Sequence, residues 1–369
     1  MRTNWLTLVN HQVIKINWAT GGTKKTATGV VFKQADNTGQ TYTVNARKEV
    51  ILAAGAIMTP ALLQLSGVGD PAKLNPLGIQ TVINLPTVGK NLQEQTMTSL
   101  GAGGNGFDWG GQGPSDAIAY PNINELYGTG AQDAINDINA NYANWAQQQA
   151  PNGASAAALT TIFGIQKDLI VNKNGQSPYK RTIRQNLILI LLAPIAELFY
   201  DTGYPDTIGV DAWPLLPFSR GTVQIRNNDP FTYPDIHVNP FSVERDMLTQ
   251  IAMTRLIRRL FRTAPLSNLS AGESRPGFGR VPDDANAGAD ANWRGWIWDN
   301  FNAVSHPVAT CAMMRRDLGG VVDGRLRLYD SANVRIVDAS VMPTQVSAHL
   351  STSLYAIAEK VADMIKNNV

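Results

Sequence analysis

Residues 334–365 read VRIVDASVMPTQVSAHLSTSLYAIAEKVADMI. A short apolar run, Val334 to Val337, gives way to an acid, Asp338, then to a turn-like stretch, and His349 stands where a helix begins. Leu354, Ile357, Ala358, Val361 and Ile365 recur at steps of one to four, the apolar stripe of a helix. The first N–H groups of such a helix have no intrahelical partner, and its dipole is positive at that end. The position suits a group that becomes anionic, beside an imidazole able to take a proton near neutral pH. Histidine is scarce, four in 369 residues, and a second one, His306, lies upstream in SHPVATCAMM (305–314). Two imidazoles brought together by folding could bind a hydroxyl and remove its proton. Taken singly, each histidine is more often structural, and His11 and His237 sit in ordinary strand or loop contexts.

Residues 5–50 read as strands separated by the loop clusters GGTKK and ADNTGQ. EVILAAGAIMTPALLQLSGVG (49–69) is a buried strand, a small-residue turn at Ala53-Ala54-Gly55, and a helix through Leu62, Leu63 and Leu65. Ile135, Ile138, Tyr142 and Trp145 mark a helix over 131–149, stopped by Pro151-Asn152-Gly153, and a second helix carries Leu159, Ile162, Phe163 and Leu169. RQNLILILLAP (184–194) suits a strand buried on both faces. Residues 243–262 form an amphipathic helix whose Arg255, Arg258, Arg259 and Arg262 read as a solvated basic face favoured by the helix dipole. Trp293, Trp296, Trp298 and Phe301 read mostly as core. Mixed strands and helices without regular βα alternation indicate an α+β component joined to pieces of an α/β one.

Composition excludes several classes. The formal charge of +2 gives no reason for a nucleic-acid or anionic-membrane partner. The apolar stretches are too short to span a bilayer. One cysteine, Cys311, excludes an internal disulfide framework and reads as a small buried hydrophobe. No metal site is expected, because the histidines are dispersed without H-x-x-x-H spacing. No G-x-S-x-G elbow supplies a serine nucleophile. Met1 leads into strand-like sequence with no signal peptide, and Asn268-Leu269-Ser270 is a lone glycosylation sequon. GAGGNG (101–106) matches G-x-G-x-x-G literally, but no buried strand precedes it and no helix start follows, so it reads as a flexible loop within an irregular stretch, 101–120.

At this point the residues resemble the glucose–methanol–choline (GMC) oxidoreductases, in particular their fungal sugar-oxidising members. GAIMTPALLQLSGVG, LPTVGKNLQEQT, LLPFSRGTVQI, HPVATCAMM, GGVVDGRLRLYDSANVRIVDASVMPTQ and SAHLSTSLYAIAEKVADMI carry the likeness in order along nearly the whole chain. It is weakest over 101–182. The resemblance implies an FAD-dependent oxidation of a sugar or other alcohol. One catalytic histidine abstracts the hydroxyl proton while hydride passes to the flavin, and the other holds the substrate. His306 and His349 match those positions. Asp338 and Ala339 match residues near the FAD diphosphate and ribityl chain, and Leu350 and Ser351 match the helix start beside the flavin. Ala54 and Gly55 match the turn near the adenosine, and Val13 matches a contact to adenine. The implied fold is an incomplete Rossmann-like FAD-binding domain, 1–95 with 305–369, plus a substrate-binding domain, 96–304, with an antiparallel sheet backed by helices. An extracellular location is implied as well.

Two departures from the family pattern stand out. Its sugar oxidases carry Arg four residues and Asn two residues before the first histidine, where this chain has Asn302 and Val304 as candidate substrate-binding residues. An arginine fork donates directed hydrogen bonds that asparagine cannot reproduce, which leaves the alcohol open. The family also begins with a βαβ unit bearing the glycine fingerprint, and none is present here. Strands 5–17, 48–54 and 334–338 are therefore expected to lack parallel-sheet partners and to leave apolar surface exposed. A missing N-terminal FAD-binding segment, a second chain completing a split flavoenzyme, and a flavin-free small-molecule-binding module are the readings that remain.

Overall fold

A computed structural model describes residues 4–106, 117–171, 193–201, 207–284 and 287–367. Strands β1 (His11–Trp18), β2 (Ala27–Gln34) and β3 (Tyr42–Asn45) form an antiparallel meander. The strand expected over 5–17 is thus confined to β1, and its partner is the antiparallel β2, not a parallel neighbour. Trp5, Leu6, Leu8 and Val9 precede it and are exposed. β4 (Val50–Leu52) leads through Ala53 and Ala54 into helix α1 (Gly55–Leu65). Gly55 turns at φ +81°, a region that favours glycine.

Short elements follow: β5 (Val68–Gly69), α2 (Pro71–Leu74), β6 (Ile83–Asn84) and β7 (Lys90–Leu92). β8 (Thr96–Gly104) then runs straight through the glycine-rich stretch. The loop reading of GAGGNG is corrected for Gly101–Gly104: β11 pairs one edge of these residues and β14 the other, so the sheet imposes a conformation that glycine alone does not favour. β9 (Ala117–Ala119), α3 (Ile123–Tyr127), α4 (Ala131–Gln149) and α5 (Ala156–Val171) come next. The strand read over RQNLILILLAP falls outside the described residues except at its end.

β10 (Ala196–Asp201), β11 (Thr207–Pro214), β12 (Gly221–Gln224), β13 (Asp235–His237), α6 (Glu244–Leu260), β14 (Ser270–Arg275), α7 (Asp290–Asn300), β15 (Asn302–Ala303), β16 (Val334–Ile336) and α8 (Leu350–Lys366) complete the order. The main sheet runs β14-β8-β11-β10-β9, with β15 also paired to β8, and every pairing in it is antiparallel. Helices α4, α5 and α6 pack with this sheet around Phe163, Phe218, Trp145, Ile251 and Trp293. Burying side chains of this size contributes about 2–3 kcal/mol each.

A second core gathers Ile16, Leu52, Leu63, Val88, Cys311, Val322, Ile336 and Val361. There β4 and β16 form a two-stranded parallel pair. The far edge of β4 has no partner strand among the described residues, and Ile51 on it is 48% exposed. Arg220, wholly buried, links β7 to the main core: its Nε donates to Asn91 Oδ1 at 2.9 Å, and its guanidinium lies 4.7 Å from the Phe163 ring.

The basic face expected on α6 is corrected. Arg258 is fully buried and paired with Glu273, stacked on Trp293 at 4.4 Å. Arg255 bonds Asp290, and Arg262 bonds Asp283. Trp293 and Trp296 are core, as their spacing indicates, whereas Trp298 is 48% exposed. No helix among the described residues is long and apolar enough to cross a membrane.

Candidate active site

His306 and His349 arrive from different parts of the chain and meet. After β15, the Val304 N–H donates to the Gln95 carbonyl at 3.1 Å, and Ser305 adopts φ +68°. The His306 N–H donates to Glu94 Oε1 at 2.9 Å, and its carbonyl accepts from Gln345 Nε2 at 2.7 Å. His306 Nδ1 lies 2.8 Å from Gln95 Oε1. His349 is the N-cap residue of α8, but its side chain does not cap the helix. Its Nε2 is hydrogen-bonded instead to Glu197 Oε1 on β10.

The two ring centroids are 5.6 Å apart at an interplanar angle of 77°. Both rings stand edge-on to Trp213 of β11, at 6.4 and 5.9 Å. Each imidazole thus has one nitrogen tied to the surrounding protein. The other nitrogen, Nε2 of His306 and Nδ1 of His349, makes no hydrogen bond to a described residue.

Burial sets the electrostatics. It holds His306 below the ordinary histidine range, helped by neighbouring His349, and so keeps the ring neutral and able to accept a proton. Burial pushes Glu197 upward, opposed by His349. Its Oε2 is buried without a hydrogen bond of full geometry, but the indole N–H of neighbouring Trp213 favours its charged form. The Tyr120 hydroxyl reaches Glu197 Oε1 at 3.4 Å. Glu94 is pushed up to about 7 by burial, against the N–H groups of His306 and Gln95 that favour its charged form. Sequence reasoning missed Glu94, Gln95 and Glu197. For Glu197 one signal was available, a lone acid inside the apolar stretch PIAELF (194–199).

Asp338 caps the turn at Ala339–Val341, accepting from the Ser340 N–H at 2.8 Å and from the Ser340 hydroxyl. Its other oxygen accepts from the Gly55 N–H at 3.0 Å and from Thr59 Oγ1 at 2.6 Å. The carboxylate thereby joins the end of β16 to the start of α1. A cavity of about 430 Å³ opens beside it, lined by Gly55, Asp338, Ala339, Ser351, Leu354 and Tyr355 among others. Ala54 and Val13 line a neighbouring, mostly apolar cavity of about 440 Å³ along β4. Leu350 is buried at the helix start.

Asn302 is exposed on β15, and Val304 packs against the main core. Neither makes a described hydrogen bond or ring contact with the histidine pair. A separate cavity of about 600 Å³, lined by Tyr127, Trp145, Arg245 and Arg259, includes neither histidine. Among the described residues no three His, Cys, Asp or Glu side chains cluster as metal ligands.

These residues fit a flavin nucleotide along one wall. The N-terminus of α8 has no side-chain cap, and Ser351 and Thr352 in its first turn are exposed. A side chain at Gly55 would meet nothing within 4 Å, so the turn faces open space. Free helix N–H groups with positive dipole ends are a ready site for anionic groups.

The comparisons agree with this architecture. The GMC oxidoreductase profiles match residues 1–97 with their N-terminal part and 217–358 with their C-terminal part. Glucose oxidase 2 of Penicillium expansum is 33% identical over 371 residues, covering 99% of this chain and 56% of the relative. A glucose oxidase of Aspergillus carbonarius is 34% identical over 371 residues, again covering 56% of the relative. An FAD-dependent oxidoreductase from Chaetomium thermophilum superposes with a TM-score of 0.80 at 26% identity, covering 98% of this chain and 61% of that one. A fungal aryl-alcohol oxidase also gives 0.80 at 26% identity, covering 97% and 60%. The fold is that of the GMC oxidoreductases, mixed helix and sheet with an antiparallel main sheet. The chain belongs to the GMC oxidoreductase family. It spans about half the length of the curated relatives it matches.

Proposed function

We propose that this chain carries the catalytic half of an FAD-dependent oxidoreductase that oxidises the CH–OH group of a small alcohol or sugar. The observation that carries the reading is the histidine pair: two imidazoles 5.6 Å apart, each anchored through one nitrogen and free at the other. A substrate hydroxyl between them would donate its proton to neutral His306 and be held in place by His349. Glu197, hydrogen-bonded to Nε2 of His349, would fix the orientation of the ring that holds the substrate. Proton removal by a positioned base contributes about 10²–10⁴ in rate.

FAD bound in the cleft would accept the hydride. Val13, Ala54 and Gly55 would form the adenosine side of its site, Asp338 and Ala339 the diphosphate side, and Leu350 and Ser351 the flavin side. The uncapped α8 N-terminus would stabilise negative charge there through its dipole. Asn302 and Val304, just ahead of His306, would stand on the substrate's approach. Residues 1–95 and 305–369 would make up the FAD-binding part and 96–304 the substrate-binding part, a division supported by the two cores. The unpaired edge of β4 supports a further polypeptide segment completing the parallel sheet, within a longer chain or from a second one. An extracellular enzyme fits the family likeness.

The test is reduction of the visible flavin band under anaerobic conditions, with FAD-loaded protein and a panel of primary and secondary alcohols. We expect His349→Ala to abolish it. Undiminished reduction in that variant removes His349 from the chemistry.

A further inference from the structure

Two imidazoles facing one substrate leave open which of them starts without a proton on its free nitrogen. We propose that Gln95 is the positioning residue that settles this, holding His306 as the Nδ1–H tautomer and leaving its Nε2 as the proton acceptor of the pair.

The Gln95 amide is wholly buried, and its neighbours fix which way it faces. Gln95 Nε2 lies 3.1 Å from the Leu215 carbonyl oxygen. A carbonyl oxygen can only accept, so the amide NH₂ of Gln95 must face Leu215. Its Oε1 then faces His306 Nδ1 at 2.8 Å. That oxygen also can only accept, so Nδ1 carries the hydrogen, and in a neutral imidazole Nε2 is bare. Rotating the amide by half a turn would set carbonyl against carbonyl at Leu215 and abandon the match, inside a site that water cannot relieve.

The backbone on either side is fixed by the same segment. Glu94 Oε1 accepts from the N–H groups of both His306 and Gln95, each at 2.9 Å. Gln95 also accepts, through its carbonyl, the Val304 N–H at 3.1 Å. The His306 carbonyl is held by Gln345, whose own N–H donates to Gln93 Oε1 at 3.1 Å. His306 is therefore gripped at its N–H, its carbonyl and one ring nitrogen by residues just before β8 and just before α8. Burial lowers its proton affinity in the same direction, which keeps the ring neutral. His349, by contrast, is hydrogen-bonded through Nε2 to a carboxyl group rather than an amide.

The tautomer is independent of the redox reading, and its catalytic meaning rests on that reading. The test is nitrogen NMR of isotope-labelled histidine in the protein, with His306→Gln identifying the His306 signals. The wild type should show a single Nδ1–H tautomer for His306 at neutral pH. Gln95→Leu removes the acceptor and should give a mixture of tautomers. Gln95→Glu keeps an acceptor, so it should retain the Nδ1–H form and move the His306 titration midpoint upward. In the flavin-loaded protein, Gln95→Leu should lower kcat at least tenfold with KM little changed. A wild-type His306 protonated at Nε2, or an unaltered tautomer in Gln95→Leu, overturns the proposal. If Gln95→Leu does not fold, the wild-type tautomer and the Gln95→Glu midpoint still decide it. Should no alcohol reduce the flavin while the tautomers behave as stated, the redox reading falls and the role of Gln95 in setting the tautomer stands.

Discussion

The carboxyl group of Glu197, wholly buried on β10, is hydrogen-bonded to Nε2 of His349 at the start of α8. The contact joins the main antiparallel sheet to the helix that follows the parallel strand pair, and it is made at the histidine pair itself. Glu197→Gln keeps the size and one acceptor but replaces the carboxyl group that orients the His349 ring. Flavin reduction in the loaded protein should slow by about 10², in the range of general acid–base effects. Stopped-flow measurement against pH checks it.

Glu94 gives a stability prediction whose sign is fixed. Its folded-state pKa is raised from 4.5 to about 7 by burial. A carboxyl group shifted upward favours folding in its protonated form, so wild-type stability falls as pH rises from about 4.5 to about 7 and the penalty is then constant. Glu94→Gln never carries that charge. It should therefore gain on the wild type across that interval, by up to about 3 kcal/mol. Urea denaturation at several pH values measures the gap, and a gap independent of pH refutes the assignment.

Arg258 and Glu273 form an ion pair with almost no solvent contact. Removing one partner strands the other, so Arg258→Met should cost about 3–5 kcal/mol. The double variant Arg258→Met with Glu273→Leu should recover much of that loss. A thermal-denaturation cycle over the four proteins reads the coupling directly.

Asp338 is the joint between β16 and α1, accepting four hydrogen bonds from Gly55, Thr59 and Ser340. Asp338→Ala leaves buried or half-buried donors unmatched and should destabilise the protein by about 3 kcal/mol. It should also weaken FAD binding, because the turn at Gly55 loses its anchor. Flavin titration followed by fluorescence quenching tests the second effect separately from the first.

The parts of this site that could be read in the sequence were those with a local pattern. His349 stood out as a rare residue at the head of an apolar helical stripe, and α8 begins one residue after it. Glu197 left only a faint mark, because its partner lies 152 positions away and a single acid has no periodicity. Arg258 was misread because position on a helix shows which residues share a face but not what covers that face; Glu273 and Trp293 arrive from later segments. Gly101–Gly104 were misread because strand formation there comes from the neighbours β11 and β14, not from the residues themselves. The strand expected at residues 5–17 was placed in the wrong kind of sheet for the same reason, since alternation reveals a strand and not its partner.

The free margin of β4 has a consequence for how the chain behaves when handled by itself. Unsatisfied backbone donors and acceptors along a strand are a template for any other strand, including one from a neighbouring copy. Here the template is only three residues long, and it is followed at once by the Ala53–Ala54 turn into α1. So short a ladder offers little purchase for fibrillar stacking, so clumping driven by the greasy side chains around Ile51 is the failure to guard against during purification.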